Sequence, residues 1–297
     1  MIITRTPLRI SFVGGGSDLP AFYEQSPGAV VGTAIDKYIY ITVNPKFDHK
    51  IRASYSITQI VDTVEELRHE LIRESLHLLG IQKGIEITSI SDIPSEGTGL
   101  GSSSTYTVGL LNALYAYVGT AAGEERLAKE ACCIEIERCG HRIGKQDQYI
   151  AAYGGLKYIR FNPDGSVFTD PIIMSPQAKK RMQDNLLLMY TGVTRKANDI
   201  LTQQSKNILS DTEKRASLQK MVDLAHQLKE ALNNNEIDAL GELLHANWME
   251  KRQQASGISN GYIDTWYQRA RAAGAIGGKL LGAGGGGFLL FYAHQER

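Results

Sequence analysis

The chain has 297 residues, a length at which two domains are expected rather than one core. Hydrophobic residues at 42% and charged residues at 22% match an ordinary folded protein and exclude disordered and fibrous classes. Lys plus Arg and Asp plus Glu stand at 32 each, so no global field favours a polyanion and no nucleic-acid partner is expected. The opening Met1-Ile2-Ile3-Thr4-Arg5 lacks the pattern of a secretory signal, and no apolar run approaches the ~20 residues of a membrane span, so no membrane partner and a cytoplasmic location are expected. Cys132, Cys133 and Cys139 are an odd set without a CxxC pair, which argues for reduced structural thiols. A zinc centre on Cys132, Cys139 and His141 would lack a fourth ligand at a usual spacing.

In chain order, short β segments are expected at 8–13, 30–35, 39–43 and 51–53, broken by Gly, Pro and Asn. Apolar residues at helical spacing predict a helix over 64–79, with Gly80 placed as a left-handed cap. A strand over 85–90 precedes the glycine-rich run 97–101, and the apolar face of 105–118 predicts a helix directly after it. Further helix is expected over 124–138 and a strand over 156–161. Beyond Pro171 the pattern gives a strand at 186–190, helices at 195–209, 212–233 and 237–255, and a last strand at 288–292. The expected division is an N-terminal domain at 1–170 and a C-terminal one at 171–297.

The clearest chemical signal is Pro94-x-x-Gly97-x-Gly99-Leu100-Gly101-Ser102-Ser103-Ser104 at a strand-to-helix junction. Glycines let backbone N–H groups approach phosphate oxygens, and the helix N-terminus adds unpaired donors and the positive end of its dipole. Ser102 and Ser103 offer hydroxyls to phosphate or Mg²⁺. No Walker A string occurs, and Gly282-x-Gly284-x-x-Gly287 leads into a strand rather than the helix a dinucleotide fingerprint requires.

A second signal is the strand Arg5 to Val13 running into Gly14-Gly15-Gly16-Ser17-Asp18. Three glycines allow a small ligand to lie against the backbone, and Asp18 can accept hydrogen bonds from vicinal hydroxyls, a combination that suits a sugar as well as a tight turn. A third is Glu135-x-Glu137-Arg138 followed by Gly144-Lys145-Gln146-Asp147-Gln148, where two carboxylates could divide metal binding from substrate activation.

Taken in order, these segments and Lys279-Leu280-Leu281-Gly282-Ala283-Gly284-Gly285-Gly286-Gly287 resemble the GHMP kinases across nearly the whole chain. The wording of Arg5 to Asp18 and of Gln146-Asp147-Gln148-Tyr149 looks most like the branch that phosphorylates D-glycero-D-manno-heptose 7-phosphate. The resemblance implies an α+β, two-domain GHMP kinase fold, with a ribosomal S5-like N-terminal domain and a ferredoxin-like C-terminal domain. It implies ATP and Mg²⁺ as cofactors and a sugar or sugar phosphate as the small-molecule partner. Gly97, Gly99, Leu100, Gly101, Ser102, Ser103 and Ser104 would bind ATP, and Ser103 with Glu137 would hold Mg²⁺. Asp147 would be the active-site aspartate and Arg9 its neighbouring cation. Gly15, Gly16, Ser17, Asp18, Gly284 and Gly285 would meet the substrate.

A substrate already carrying a phosphate needs cations where that dianion sits, and Arg142, Lys145 and Arg195 with Lys196 are the candidates. The expected reaction is transfer of the γ-phosphoryl group to the anomeric hydroxyl, giving the 1,7-bisphosphate. The alternatives are a GHMP kinase for fucose, galactose or a uronic acid, and a catalytically silent sugar sensor on the same fold.

Overall fold

A computed structural model of the protein describes residues 1–93, 97–194 and 197–295. The elements are β1 (Ile2–Val13), α1 (Pro20–Tyr23), β2 (Gly28–Pro45), β3 (Ile51–Ser54), β4 (Thr58–Val61), α2 (Glu70–Leu78), β5 (Ile85–Ser91), α3 (Ser102–Tyr117), α4 (Glu124–Cys132) and α5 (Gln146–Tyr153). They continue with β6 (Leu156–Phe161), β7 (Val167–Pro171), α6 (Pro176–Asp184), β8 (Leu186–Tyr190), α7 (Ala197–Ser210), α8 (Thr212–Asn233), α9 (Ala239–Lys251), α10 (Gly261–Ala272), β9 (Gly277–Leu280) and β10 (Phe288–Tyr292). This is the mixed α+β composition expected. By contacts the chain divides into two compact units, one of Met1–Arg9, Ala34–Ser95 and Gly101–Gly154, the other of Ile10–Thr33, Glu96–Leu100 and Gly155–Arg297.

In the first unit the strands run in the order β4-β3-β5-β2. β3 and β5 are parallel, with Ile51 opposite Ile85, and β5 is antiparallel to β2, from Ile39 opposite Ser91 to Pro45 opposite Ile85. Alternate residues Ile39, Ile41 and Val43 turn inward with Ile51, Ala53, Ile85 and Ile87, the period of a half-buried sheet. α3 is covered on most sides and buries Leu110, Leu111 and Leu114 completely, each contributing about 1.5–3 kcal/mol. Its close approach to β1 needs Gly109, since a Cβ there would lie 2.6 Å from Thr6 Oγ1. Thr4 Oγ1 donates to the Gly109 carbonyl at 2.9 Å and fixes that approach.

In the second unit β6 pairs antiparallel with Gly28 to Thr33 of β2 and with β7, and a separate antiparallel sheet has the order β8-β10-β9. Trp248, Ile258, Tyr267, Leu280, Leu289 and Phe291 form its buried cluster. Asp211 caps α8 by accepting from the N–H groups of Glu213 and Lys214, and Asn260 does the same for α10 through Tyr262 and Ile263. Two buried lysines hold carbonyls in place. Lys279 Nζ donates to Ser11 and Phe12 at 2.9 Å each, and Lys251 Nζ to Gly282 at 2.8 Å.

Several expected boundaries shift for identifiable reasons. The segments 30–35 and 39–43 are one continuous strand, β2. The helix over 64–79 is a 3₁₀ turn, Val64–Glu66, and then α2, because Leu67 takes extended backbone. Gly80 does close α2 with φ of 67°, and Ile81 N–H returns to Leu76 O at 3.0 Å, as a left-handed cap requires. The helix over 124–138 ends its α-helical part at Cys132 and widens into a π-helical turn, Cys133–Arg138.

α9 packs backbone to backbone against β9, because a Cβ on Gly277 would fall 1.8 Å from the Gly241 carbonyl oxygen. Gly277→Ala should therefore destabilise the protein by about 1–3 kcal/mol through overpacking, seen as a lower midpoint in thermal unfolding, whereas Gly123→Ala, whose Cβ meets nothing within 4 Å, should leave the midpoint nearly unchanged.

Candidate active site

Gly97, Gly99 and Gly101 hold φ of 67°, 77° and 77°, backbone that L side chains rarely adopt. Gly101 is the N-cap of α3 and no side chain among the described residues caps the helix, which leaves first-turn N–H groups for an anion, with no acidic residue in that turn. Ser102 Oγ is buried without a hydrogen-bond partner among the described residues, an unmet polar group at the place where a phosphate would supply one.

Within the second unit the loop is also sterically tied to the C-terminal glycine run. A Cβ on Gly99 would lie 2.5 Å from Leu281 O, and one on Gly287 2.3 Å from Thr98 O. The sequence motifs at 97–101 and 279–287 therefore meet through bare backbone.

In the first unit, Arg9 is 4% exposed at the end of its stretch of β1, and Asp147 lies in the first turn of α5. Arg9 Nε donates to Asp147 Oδ1 at 2.6 Å and Nη2 to Oδ2 at 2.5 Å, a bidentate pair. A Cβ on Gly101 would touch Arg9 Cγ at 3.1 Å, so the guanidinium lies directly against the α3 N-cap. The α3 N-cap, the cation and the carboxylate are therefore contiguous within the first unit.

Ser103 Oγ donates to Glu135 Oε1 at 2.7 Å, and Gln148 Nε2 to Glu135 Oε2 at 2.6 Å. Glu135 is fully buried. Burial pushes its carboxyl above the ordinary value of 4.5, against hydrogen bonds from Ser103, Ser104 and Gln148 that favour the charged form.

This corrects the expected pairing of Ser103 with Glu137. Glu137 is exposed, and its Oε2 accepts from Cys133 Sγ at 3.4 Å. The cause is the π-helical turn: Cys139 N–H bonds Ile134 O at 2.9 Å, five residues back, and the wider turn carries Glu135 to the Ser103 side. Glu135 was visible in the sequence but regular helical spacing does not single it out.

The Gly14 to Asp18 loop lies in the second unit. Gly14 N–H donates to Asn247 Oδ1 at 2.9 Å, and Gly16 N–H to Asp18 Oδ1 at 2.9 Å. Ser17 differs from its expected substrate role. Its hydroxyl donates to Gly14 O at 2.8 Å and Ala29 O at 3.0 Å and accepts from Ala29 N–H at 3.0 Å, so it is committed to shaping the loop. Gly284 and Gly285 close on Ile258, whose carbonyl accepts from Gly285 N–H at 2.9 Å. Arg142 is exposed, Lys145 is the N-cap of α5, and Arg195 and Lys196 lie outside the described residues, as does Pro94.

A magnesium ion in a nucleotide complex takes few protein oxygens because phosphates and water supply the rest. The Ser103 hydroxyl and the Glu135 carboxylate are hard oxygen donors at the α3 N-terminus, and they fit such an ion. Among the described residues, no group of three or more His, Cys, Asp or Glu is placed to bind a metal. No helix there is long and apolar enough to cross a membrane.

The family model for the GHMP kinases N terminal domain matches residues 60–155, and that for the GHMP kinases C terminal domain matches 228–297. The chain belongs to the GHMP kinase family, and as such is an ATP-dependent kinase of a small molecule. It is 29% identical to the D-glycero-alpha-D-manno-heptose 7-phosphate kinase of Campylobacter jejuni over 100% of this chain and 90% of that one. It is 26% identical to an L-fucokinase/L-fucose-1-P guanylyltransferase of Bacteroides fragilis, of which it spans 34% while 99% of this chain is matched. Its fold is similar to that of a D-glycero-D-manno-heptose 1-phosphate kinase from Bacteroides thetaiotaomicron, with a TM-score of 0.82, 24% identity and coverage of 100% and 90%. The galactokinase of Lactococcus lactis follows the same fold with a TM-score of 0.77 at 19% identity, over 99% of this chain and 86% of that one.

The raised carboxyl of Glu135 has a sign that can be tested. A folded-state value above 4.5 means that the neutral form is favoured on folding. This contribution is full below 4.5 and is lost as pH rises through the folded-state value. Glu135→Gln cannot ionise, so its stability relative to the wild type should improve as pH rises from about 4.5 through that window. Thermal unfolding of both proteins across pH 4 to 9 checks this, and a constant difference would show that Glu135 titrates normally.

Proposed function

We propose that the protein is a sugar kinase that transfers the γ-phosphoryl group of ATP to the anomeric hydroxyl of D-glycero-D-manno-heptose 7-phosphate, giving the 1,7-bisphosphate. The observation that carries the reading is the bidentate Arg9–Asp147 pair seated against the N-cap of α3. A carboxylate there can accept a hydrogen bond or a proton from a substrate hydroxyl, next to a helix terminus built for phosphate. The full-length similarity to the Campylobacter heptose 7-phosphate kinase supports the choice of sugar.

When bound, ATP supplies the transferred group and Mg²⁺ neutralises charge on its phosphate oxygens. The protein's part is positioning and electrostatics. Gly97, Gly99, Leu100 and Gly101 hold backbone against the phosphates, and Ser102 and Ser104 stand at the same helix end. Ser103 and Glu135 hold the metal. Arg9 fixes both oxygens of Asp147, so the carboxylate has one orientation in which to meet the hydroxyl. Gly15, Gly16 and Asp18 receive the sugar, with Gly284 and Gly285 as further backbone contacts.

Asp147→Asn and Asp147→Ala should lower kcat by about 10²–10⁴-fold with little change in the KM for ATP, measured by coupled ADP release. Near-normal turnover in either would remove Asp147 from the reaction. Ser103→Ala and Glu135→Gln should each raise the Mg²⁺ concentration needed for half-maximal rate, whereas Glu137→Gln should not, since its side chain points to Cys133. A panel of free and phosphorylated sugars, with the product position read by phosphorus NMR, tests the substrate. Equal kcat/KM for the heptose with and without its 7-phosphate would replace the phosphosugar reading with that of a free-sugar kinase.

A further inference from the structure

Two polar side chains, one against the Gly14 to Asp18 loop and one a helical turn from a residue that meets it, have no role in the site as described. Gln204 on α7 is completely buried, and neither Oε1 nor Nε2 has a hydrogen-bond partner among the described residues. It faces the loop, because a Cβ on Gly16 would lie 2.5 Å from its Nε2 and 3.4 Å from Leu218 Cδ1 of α8. Arg215 precedes Leu218 by three residues and so lies on the same side of α8, about 4.5 Å along its axis. Its Nε and Nη2 are both buried and both without an acceptor among the described residues.

The combination is chemically specific. Nε and Nη2 form one edge of the guanidinium, the edge that Arg9 uses to grip both oxygens of Asp147. An Arg edge of this kind is complementary to a planar or tetrahedral oxyanion and to little else. Buried donors without acceptors are costly and rare in native structures, so a pair of them on one edge marks a missing anionic partner. Gln204 is neutral and can both donate and accept, which is what a sugar hydroxyl requires.

We propose that Arg215 and Gln204 form the subsite that reads the far end of the substrate, Arg215 binding the phosphate that the sugar already carries and Gln204 a hydroxyl next to it over Gly16. This rests on the phosphosugar reading given above. It moves the recognition of that phosphate from the exposed Arg142 to the buried Nε–Nη2 edge of a half-buried arginine on α8. Arg215 contributes specificity and takes no part in the transfer step.

The test compares heptose 7-phosphate with the unphosphorylated heptose in the wild type, Arg215→Gln and Arg215→Lys. The wild type should favour the phosphorylated sugar, and Arg215→Gln should reduce that preference about tenfold or more, as expected for one lost charge-assisted contact. Arg215→Lys keeps the charge without the fork and should fall between the two. The KM for ATP should stay near that of the wild type in both. Gln204→Leu should raise the KM for both sugars, since it removes a hydroxyl contact that they share. A folded Arg215→Gln that keeps the full wild-type preference would overturn the assignment while the phosphosugar reading stands. A wild type without any preference would overturn both. If Arg215→Gln fails to fold, thermal stabilisation by inorganic phosphate decides: a shift in the wild type that is reduced in Arg215→Lys supports the site, and equal shifts or none in the wild type overturn it.

Discussion

The arrangement of the first unit depends on one buried guanidinium. Arg9 is held on its edge by both oxygens of Asp147 and on its flank by Gly101, which tolerates no larger residue there. Taking such a pair out of water is expensive, and the pair by itself is weak evidence of net stability. Its value is geometric. It sets the position of α5 through Asp147 and the height of the α3 N-terminus through Gly101, so carboxylate and helix end keep a fixed spacing. Gln148, the next residue of α5, then reaches Glu135, which in turn accepts from Ser103. One cation thus orders the partners around it through hydrogen bonds that leave few degrees of freedom.

In the second unit the comparable constraint is steric. Gly282 and Gly99 approach so closely that a Cβ on either would meet backbone at 2.5 Å, and Gly16 leaves room for Gln204 in the same way. Glycine is disfavoured in ordered structure because of its backbone entropy. Here that cost is offset by letting loops pack without side chains, and Lys279 and Lys251 fix the adjoining carbonyls of Ser11, Phe12 and Gly282. Loops that bind small ligands through their backbone need this kind of rigid support, since their own side chains provide none.

What could be read from the sequence follows from the range of the physics involved. The start of α3 directly after the glycine loop was legible because a glycine run before an apolar helical face is a local pattern, and the nearness of Arg9 to Asp147 followed from the order of the motifs. The α+β class and the cap at Gly80 were legible for the same reason. Glu135 was not, because the π-helical turn at 133–138 is a change of helical pitch that residue spacing does not announce. Ser17 was assigned to the substrate with its neighbours by the family resemblance, but the return of Ala29 to its hydroxyl is set by strand pairing at a distance. α10 left a signal that could have been used: Asn260 as a cap and Ile263, Trp266, Tyr267 and Ala270 at helical spacing. Gln204 and Arg215 had none, since a burial that leaves donors unmet is a property of the packed chain.

Glu135 is the second carboxylate that this arrangement constrains. A carboxyl that burial holds above its ordinary value resists ionisation, and the hydrogen bonds from Ser103, Ser104 and Gln148 only partly counter this. In the proposed function a divalent cation beside Ser103 and Glu135 would supply the missing charge and would favour the ionised form. The same carboxylate would otherwise be an uncompensated buried charge, which is why it is surrounded by donors that are neutral and not by a second cation. Arg9 is the nearby cation, but both of the donors on its side-on edge are given to Asp147. The two carboxylates are thereby held differently: Asp147 is paired with a guanidinium through both oxygens, whereas Glu135 is met by neutral donors.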